Sequence, residues 1–176
     1  MTILLDHIAL QLKQLRTEKG WSLDQTAKQT GISKAMLGQI ERGESNPTVQ
    51  TLWKIAMGFH TSLSHFLPIE QKEQHVLQHQ DEALSVKILQ AYNPDLAYEV
   101  LLISLKANTT HHSCAHDTGV IEDILPLSHT VKLGLENEVM TAKMGEVLRF
   151  SADQNHAYIN ENNHEIQFYN IVHYPK

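Results

Sequence analysis

Apolar positions change period part-way along this chain. Early on, Leu5, Ile8, Leu12 and Leu15 recur at spacings of three and four, which stack on one face of a helix. Start and stop residues divide the following stretch into short helices. Gly20 ends the first, and Ser22 with Gln25 three residues on forms a capping-box pattern for the second, which Gly31 closes. Ser33 caps a third helix that Gly43 stops, and Ser45-Asn46-Pro47 turns the chain into a fourth near Thr48–Met57. Leu23, Ala27, Ile32, Leu37, Ile40, Leu52 and Ile55 supply the expected core.

Beyond about residue 84 the pattern shortens into strand-like runs. Leu84–Leu89, Tyr98–Leu105, Val131–Leu135, Val147–Phe150 and Ile166–Val172 are bounded by turn formers such as Asn93-Pro94, Gly119, Asn137 and Asn160–Asn163. Helices segregated before strands predict two domains rather than a βαβ fold. The expected division is a helical domain at 1–68, a polar linker with some helical character at 69–83, and a β domain at 84–176.

Charge follows the same division. The whole chain carries −6, which alone argues against nucleic acid as a partner. Residues 1–68, however, hold seven basic and five acidic side chains, a balance of +2, and the remainder carries −8. Nine of the 12 histidines also lie beyond residue 68. Cys114 is the single cysteine and cannot form an internal disulfide, which favours a reducing compartment. No run approaches the ~18 apolar residues that span a bilayer. Asp6 and His7 interrupt Ile3–Leu5, so the first residues lack the order of a signal peptide. A cytoplasmic protein without membrane contact is expected.

Two short helices joined by a tight Gly-containing turn, the second with a polar outer face, form a helix-turn-helix. Such a helix fits the major groove and brings its N-terminal side chains to base edges. The run Ser33-Lys34-Ala35-Met36-Leu37-Gly38-Gln39-Ile40-Glu41-Arg42-Gly43, followed by Asn46-Pro47-Thr48, Leu52 and Ile55-Ala56, closely resembles the lambda-repressor/Cro-like (XRE) helix-turn-helix family over roughly residues 8–66. The resemblance implies a four- or five-helix DNA-binding domain with motif helices within 23–42. It places Lys34, Ala35 and Gln39 at base edges: Lys34 toward guanine, Gln39 toward adenine, Ala35 against a thymine methyl. Ser22, Ser33, Arg42 and Asn46 suit phosphates, which set register rather than sequence. Arg16 and Glu41 match a pair that bridges the first and third helices in relatives. Leu23 stands where the family often has glutamine.

In the second part, two segments resemble the small cupin (double-stranded β-helix) barrel fused behind such readers in bacterial regulators. They are Ser113-Cys114-Ala115-His116-Asp117-Thr118-Gly119-Val120-Ile121-Glu122 and Gly145-Glu146-Val147-Leu148-Arg149-Phe150 with His156-Ala157-Tyr158-Ile159-Asn160. The first lacks a His-x-His, and Ser128 stands where a turn glycine is usual. Imidazole and carboxylate are ligands for zinc and other first-row divalent metals. The resemblance nominates His116, Glu122 and His156 as metal ligands. His112 and Cys114 lie two and four residues before His116, on one face of an extended strand, and either would complete a tetrahedral site. On the competing reading, His116 bonds an organic ligand while Glu122 and His156 form a satisfied buried pair, and His111 and His112 are exposed turn residues.

These features point to a sequence-specific transcriptional regulator. Its partners would be a double-stranded DNA operator, a small-molecule effector in the barrel and a second copy of the chain, with half-sites about 34 Å apart. The spacing of Ser113, His116, Gly119 and Glu122 is similar to regulators tied to sulfur or amino-acid metabolism. The alternative is a metal-dependent cupin dioxygenase or isomerase with a DNA-binding appendage.

Overall fold

A computed structural model describes residues 2–67, 76–77 and 83–175. The chain divides into two compact units, Met1–His75 and Val76–Lys176.

The first unit holds α1 (Thr2–Glu18), α2 (Leu23–Thr30), α3 (Lys34–Glu41), α4 (Val49–Phe59) and a 3-10 turn at Leu63–Phe66. The caps are those the spacing predicts. Ser22 accepts from the Gln25 backbone while the Gln25 side chain accepts from the Ser22 backbone, and Gly31 closes α2 in the left-handed conformation. Ser33 accepts from the Met36 backbone at the start of α3. Each cap satisfies donors that a helix end otherwise leaves orphaned. The core gathers Ile8, Leu12, Leu37, Ile40, Leu52, Ile55 and Phe66, all essentially inaccessible. The inward face of α2 differs from the expected one: Thr26 and Thr30 are buried, and their hydroxyls donate to the Ser22 and Thr26 carbonyls. Leu23 and Ala27 are half-buried. Arg16 clamps the unit, donating to both Glu41 carboxylate oxygens at 2.6 and 2.9 Å and to the Trp21 carbonyl at 3.0 Å.

The second unit is two antiparallel sheets. One has the order β1 (Val76–Leu77), β2 (Leu84–Asn93), β3 (Tyr98–Leu105), β10 (Ile166–His173), β5 (Ile121–Pro126), β8 (Leu148–Ser151). The other has the order β4 (Thr109–Ser113), β9 (His156–Asn160), β6 (Val131–Gly134), β7 (Val139–Ala142). Period-two alternation sets the inner faces. In β3, Glu99, Leu101, Ile103 and Leu105 are buried; in β10, Ile166, Phe168, Asn170 and Val172.

Strands β4, β5, β7 and β9 are not among the runs that hydropathy picks out. Most of the expected linker, 69–83, lies outside the described residues. Within it, Val76–Leu77 is extended and pairs with β2 at Lys87 and Val86 rather than being helical.

Candidate metal centre and nucleic-acid interface

Glu122 reaches the barrel interior because β5 places it on the inner face, opposite Val172 of β10 and Phe150 of β8. Strand β9 presents His156, Tyr158 and Asn160 on its own inner face, two residues apart. His116 arrives from the loop after β4. Its backbone N–H donates to the Ala152 carbonyl at 2.8 Å, and the Ala115 N–H donates to Asn155 Oδ1 at 3.0 Å, so the turn before β9 holds that loop. Gly119, at φ +89°, completes the bend into β5.

Among the described residues, His116, Glu122 and His156 form one group able to hold a metal ion, with one ligand atom from each all within 4.8 Å of one another. His116 Nε2 lies 2.8 Å, and His156 Nε2 3.8 Å, from Glu122 Oε1. Two ligands about 2.0–2.1 Å from a tetrahedral zinc lie roughly 3.4 Å apart, so these separations bracket the required one. The other carboxylate oxygen is taken: the Tyr158 hydroxyl and Asn170 Nδ2 both donate to Glu122 Oε2, the latter at 2.8 Å. Asn170 Nδ2 also donates to the Tyr158 oxygen at 3.1 Å.

Protonation follows from these contacts. His156 Nδ1 lies 3.0 Å from the Gln154 carbonyl, which can only accept, so Nδ1 carries the proton and Nε2 a lone pair. That Nε2 is buried and has no hydrogen-bond partner among the described residues. Burial, against the pull of Glu122, lowers the His156 pKa and favours this neutral form. Burial pushes the Glu122 carboxyl up, but the hydrogen bonds from His116 and from the Tyr158 hydroxyl outweigh it and hold the acid at about 2. An anionic oxygen and a lone-pair nitrogen facing one point, in the dry interior, suit a divalent cation.

The two further donors require correction. Strand β4 pairs His111 with Tyr158, His112 with Ala157 and Ser113 with His156. Directly opposed residues share a face, so His111 and Ser113 lie on the His156 side and His112 on the other. His112 and Cys114 are both exposed, and neither joins the group. His111 is half-buried, not an exposed turn residue, and its pKa is lowered by burial and by the neighbouring His112 and His156. His111, Tyr158 and Asn170 escaped the sequence spacing. A usable signal existed for Asn170, a polar residue at an inward phase of Ile166–Val172, and for Tyr158, two residues from His156. His111 needed the strand register.

In the first unit, Ser22, Ser33, Lys34, Ala35, Gln39, Arg42 and Asn46 are all exposed. Lys34, Ala35 and Gln39 stand on α3, and Arg42 caps its C-terminus. The Ser22 and Ser33 oxygens accept cap hydrogen bonds, which leaves each hydroxyl proton free to donate. Lys34 Nζ lies 2.8 Å from Asp24 Oδ2, and Arg42 Nη2 lies 2.7 Å from Glu44 Oε2. The Arg42 hydrogen bond lowers the Glu44 pKa.

A helix-turn-helix unit followed by a β-barrel unit with a buried His-Glu-His group defines a DNA-binding transcriptional regulator of two parts. The Helix-turn-helix family pattern matches residues 12–66. HTH-type transcriptional regulator SutR of Escherichia coli (strain K12) is 40% identical over 170 residues, covering 96% of this chain and 96% of its own length. The crystal structure of an HTH_3 family transcriptional regulator from Vibrio cholerae superposes with a TM-score of 0.87 at 40% identity, covering 99% of both chains. The Cupin_2 domain of an XRE family transcriptional regulator from Enterobacter cloacae is similar at TM-score 0.52 and 28% identity, covering 54% of this chain and all of that one. The chain belongs to the XRE-type helix-turn-helix transcriptional regulators that carry a cupin domain. No helix among the described residues is long and apolar enough to cross a membrane.

Proposed function

We propose that this chain is a cytoplasmic, effector-responsive regulator that reads a specific operator as a homodimer. The reader is the unit Met1–His75 and the sensor the barrel unit Val76–Lys176. In the reader, Lys34, Ala35 and Gln39 contact bases, while Ser22, Ser33, Arg42 and Asn46 contact phosphates. In the sensor, His116, Glu122 and His156 hold a divalent metal, zinc fitting two imidazoles and one carboxylate.

The observation that carries the metal reading is His156: a buried Nε2 lone pair with no hydrogen-bond partner among the described residues, 3.8 Å from an anionic oxygen. An ion held by three side chains keeps open positions, to which a carboxylate, amine or thiol of a small metabolite can bind. Amino-acid and sulfur metabolites carry such groups. On this reading the effector contacts His111 and Ser113, which share the inner face with His156. The outward side of the six-stranded sheet supports the homodimer: Leu125, Tyr169 and Leu102 stand side by side there, each partly exposed. The effector changes DNA affinity to the extent that it binds the DNA-competent arrangement differently from the other.

A regulatory role is favoured over a cupin enzyme by relatives named as transcriptional regulators along nearly the whole chain. Elemental analysis with native mass spectrometry of protein purified without chelators tests the reading. About one divalent ion per chain in a dimer is expected. Protein that stays metal-free after titration with zinc would reject the metal site, and turnover of a substrate with added iron or manganese would favour the enzyme.

A further inference from the structure

The two cations assigned to DNA on the recognition helix are already paired. Lys34 and Asp24 meet at 2.8 Å with side chains 58% and 66% exposed, and Arg42 and Glu44 meet at 2.7 Å with 58% and 54% exposed. Arg16–Glu41 differs: its side chains are 20% and 9% exposed, and Arg16 also holds the Trp21 carbonyl. Arg16 ties helices together. The outer pairs are solvated, and exposed pairs contribute little to folding.

A carboxylate oxygen and a phosphate oxygen accept the same charge-assisted hydrogen bond from Lys or Arg. We propose that Asp24 and Glu44 are internal competitors for DNA: they occupy Lys34 and Arg42 in the free protein and oppose the approach of phosphates. This inference rests on the assignment of Lys34 and Arg42 to DNA. Exchanging a carboxylate for a phosphate gains little and leaves the released acid near the anionic backbone. A matched base edge adds hydrogen bonds of its own, such as guanine O6 and N7 for a lysine. The acids therefore weaken non-specific binding more than specific binding, and they set the contrast between the two.

The test compares full-length wild type with D24N, E44Q and the double variant by fluorescence anisotropy. The probes are a random-sequence duplex and a duplex selected by the wild-type protein, across roughly 50–200 mM salt. D24S and E44A repeat each charge removal with a different side chain, and thermal melting verifies that each variant is folded. Each charge removal should raise affinity for the random duplex roughly three- to fivefold. It should also steepen the salt dependence by about one unit. A smaller gain is expected on the selected duplex. In a K34M background the D24N gain should shrink, leaving only the relief of direct repulsion. Unchanged affinity and salt slope in both acid variants would overturn the proposal, as would an equal D24N gain with and without Lys34. Wild type that bound neither duplex would instead overturn the DNA assignment itself.

Discussion

His156 Nδ1 donates to the Gln154 carbonyl at 3.0 Å, and this one bond turns the opposite ring nitrogen into a buried lone pair aimed at Glu122. The tautomer is the one a metal ligand needs, fixed by a backbone oxygen on the far side of the ring. Zinc should therefore stabilise the barrel unit: a hundredfold excess over Kd contributes about 2.7 kcal/mol. Thermal melting with and without zinc should show a clear rise in wild type and none in H156Q or E122Q. An equal rise in all three would place the metal elsewhere.

Tyr158 acts on the same centre through Glu122. With Asn170 it occupies Oε2 and leaves Oε1 to the two imidazoles. Y158F should lower metal affinity about 10- to 100-fold. The lost hydrogen bond to a charged group should also cost roughly 1–3 kcal/mol of stability. Competition with a coloured chelator separates the two effects, since a purely structural role would leave affinity intact in the folded fraction.

Two tyrosines should resist titration. Burial, followed by the charge of Glu99 and the hydrogen bond donated to it, raises Tyr174 well above its usual 10; burial and Glu122 do the same to Tyr158. A raised folded pKa means that the unfolded chain ionises first, so this stabilisation is full below pH 10 and is lost as pH climbs past it. Ultraviolet absorbance of tyrosinate should show two of the five tyrosines ionising only as the barrel unfolds. Smooth titration of all five in folded protein would contradict these contacts.

Gly58 marks where α4 meets α2. A Cβ there would lie 2.7 Å from Thr30 Cγ2, 2.8 Å from Thr30 Cα and 2.9 Å from the Gln29 carbonyl oxygen. Alanine favours a helix by about 1 kcal/mol. Two of the three clashing atoms are backbone, however, so overpacking at roughly 1–3 kcal/mol should prevail. G58A should melt earlier than wild type in denaturant, and a stabilised variant would mean that α2 can shift.

The reader was legible because its punctuation is local. Ser22 with Gln25, Gly31, Ser33 and Gly43 each act on residues within one turn, so spacing alone placed four helices. Thr26 and Thr30 ran against hydropathy because a threonine hydroxyl can bond back to the carbonyl four residues earlier and be buried. The barrel was less legible. Strand β4 reads Thr-Thr-His-His-Ser and β5 contains adjacent acids, Glu122 inside and Asp123 bonded to Arg149 and His173, so neither shows an apolar stripe. Those interruptions are the polar groups that build the site. The resemblance to a cupin brought His116, Glu122 and His156 together. Only register separated His111 from His112, because a shift of one residue reverses the face of every side chain.

Sequence reading by α3 underlies every assignment made to the first unit. Selection of bound duplexes from a random pool by the full-length protein, followed by sequencing, tests it most directly. Two-fold symmetric sites are expected, with half-sites about 34 Å apart. Q39A and K34A should each relax preference at one position per half-site by about 1–3 kcal/mol. A pool that stayed random after repeated rounds, or variants with the wild-type motif, would show that α3 does not read the sequence.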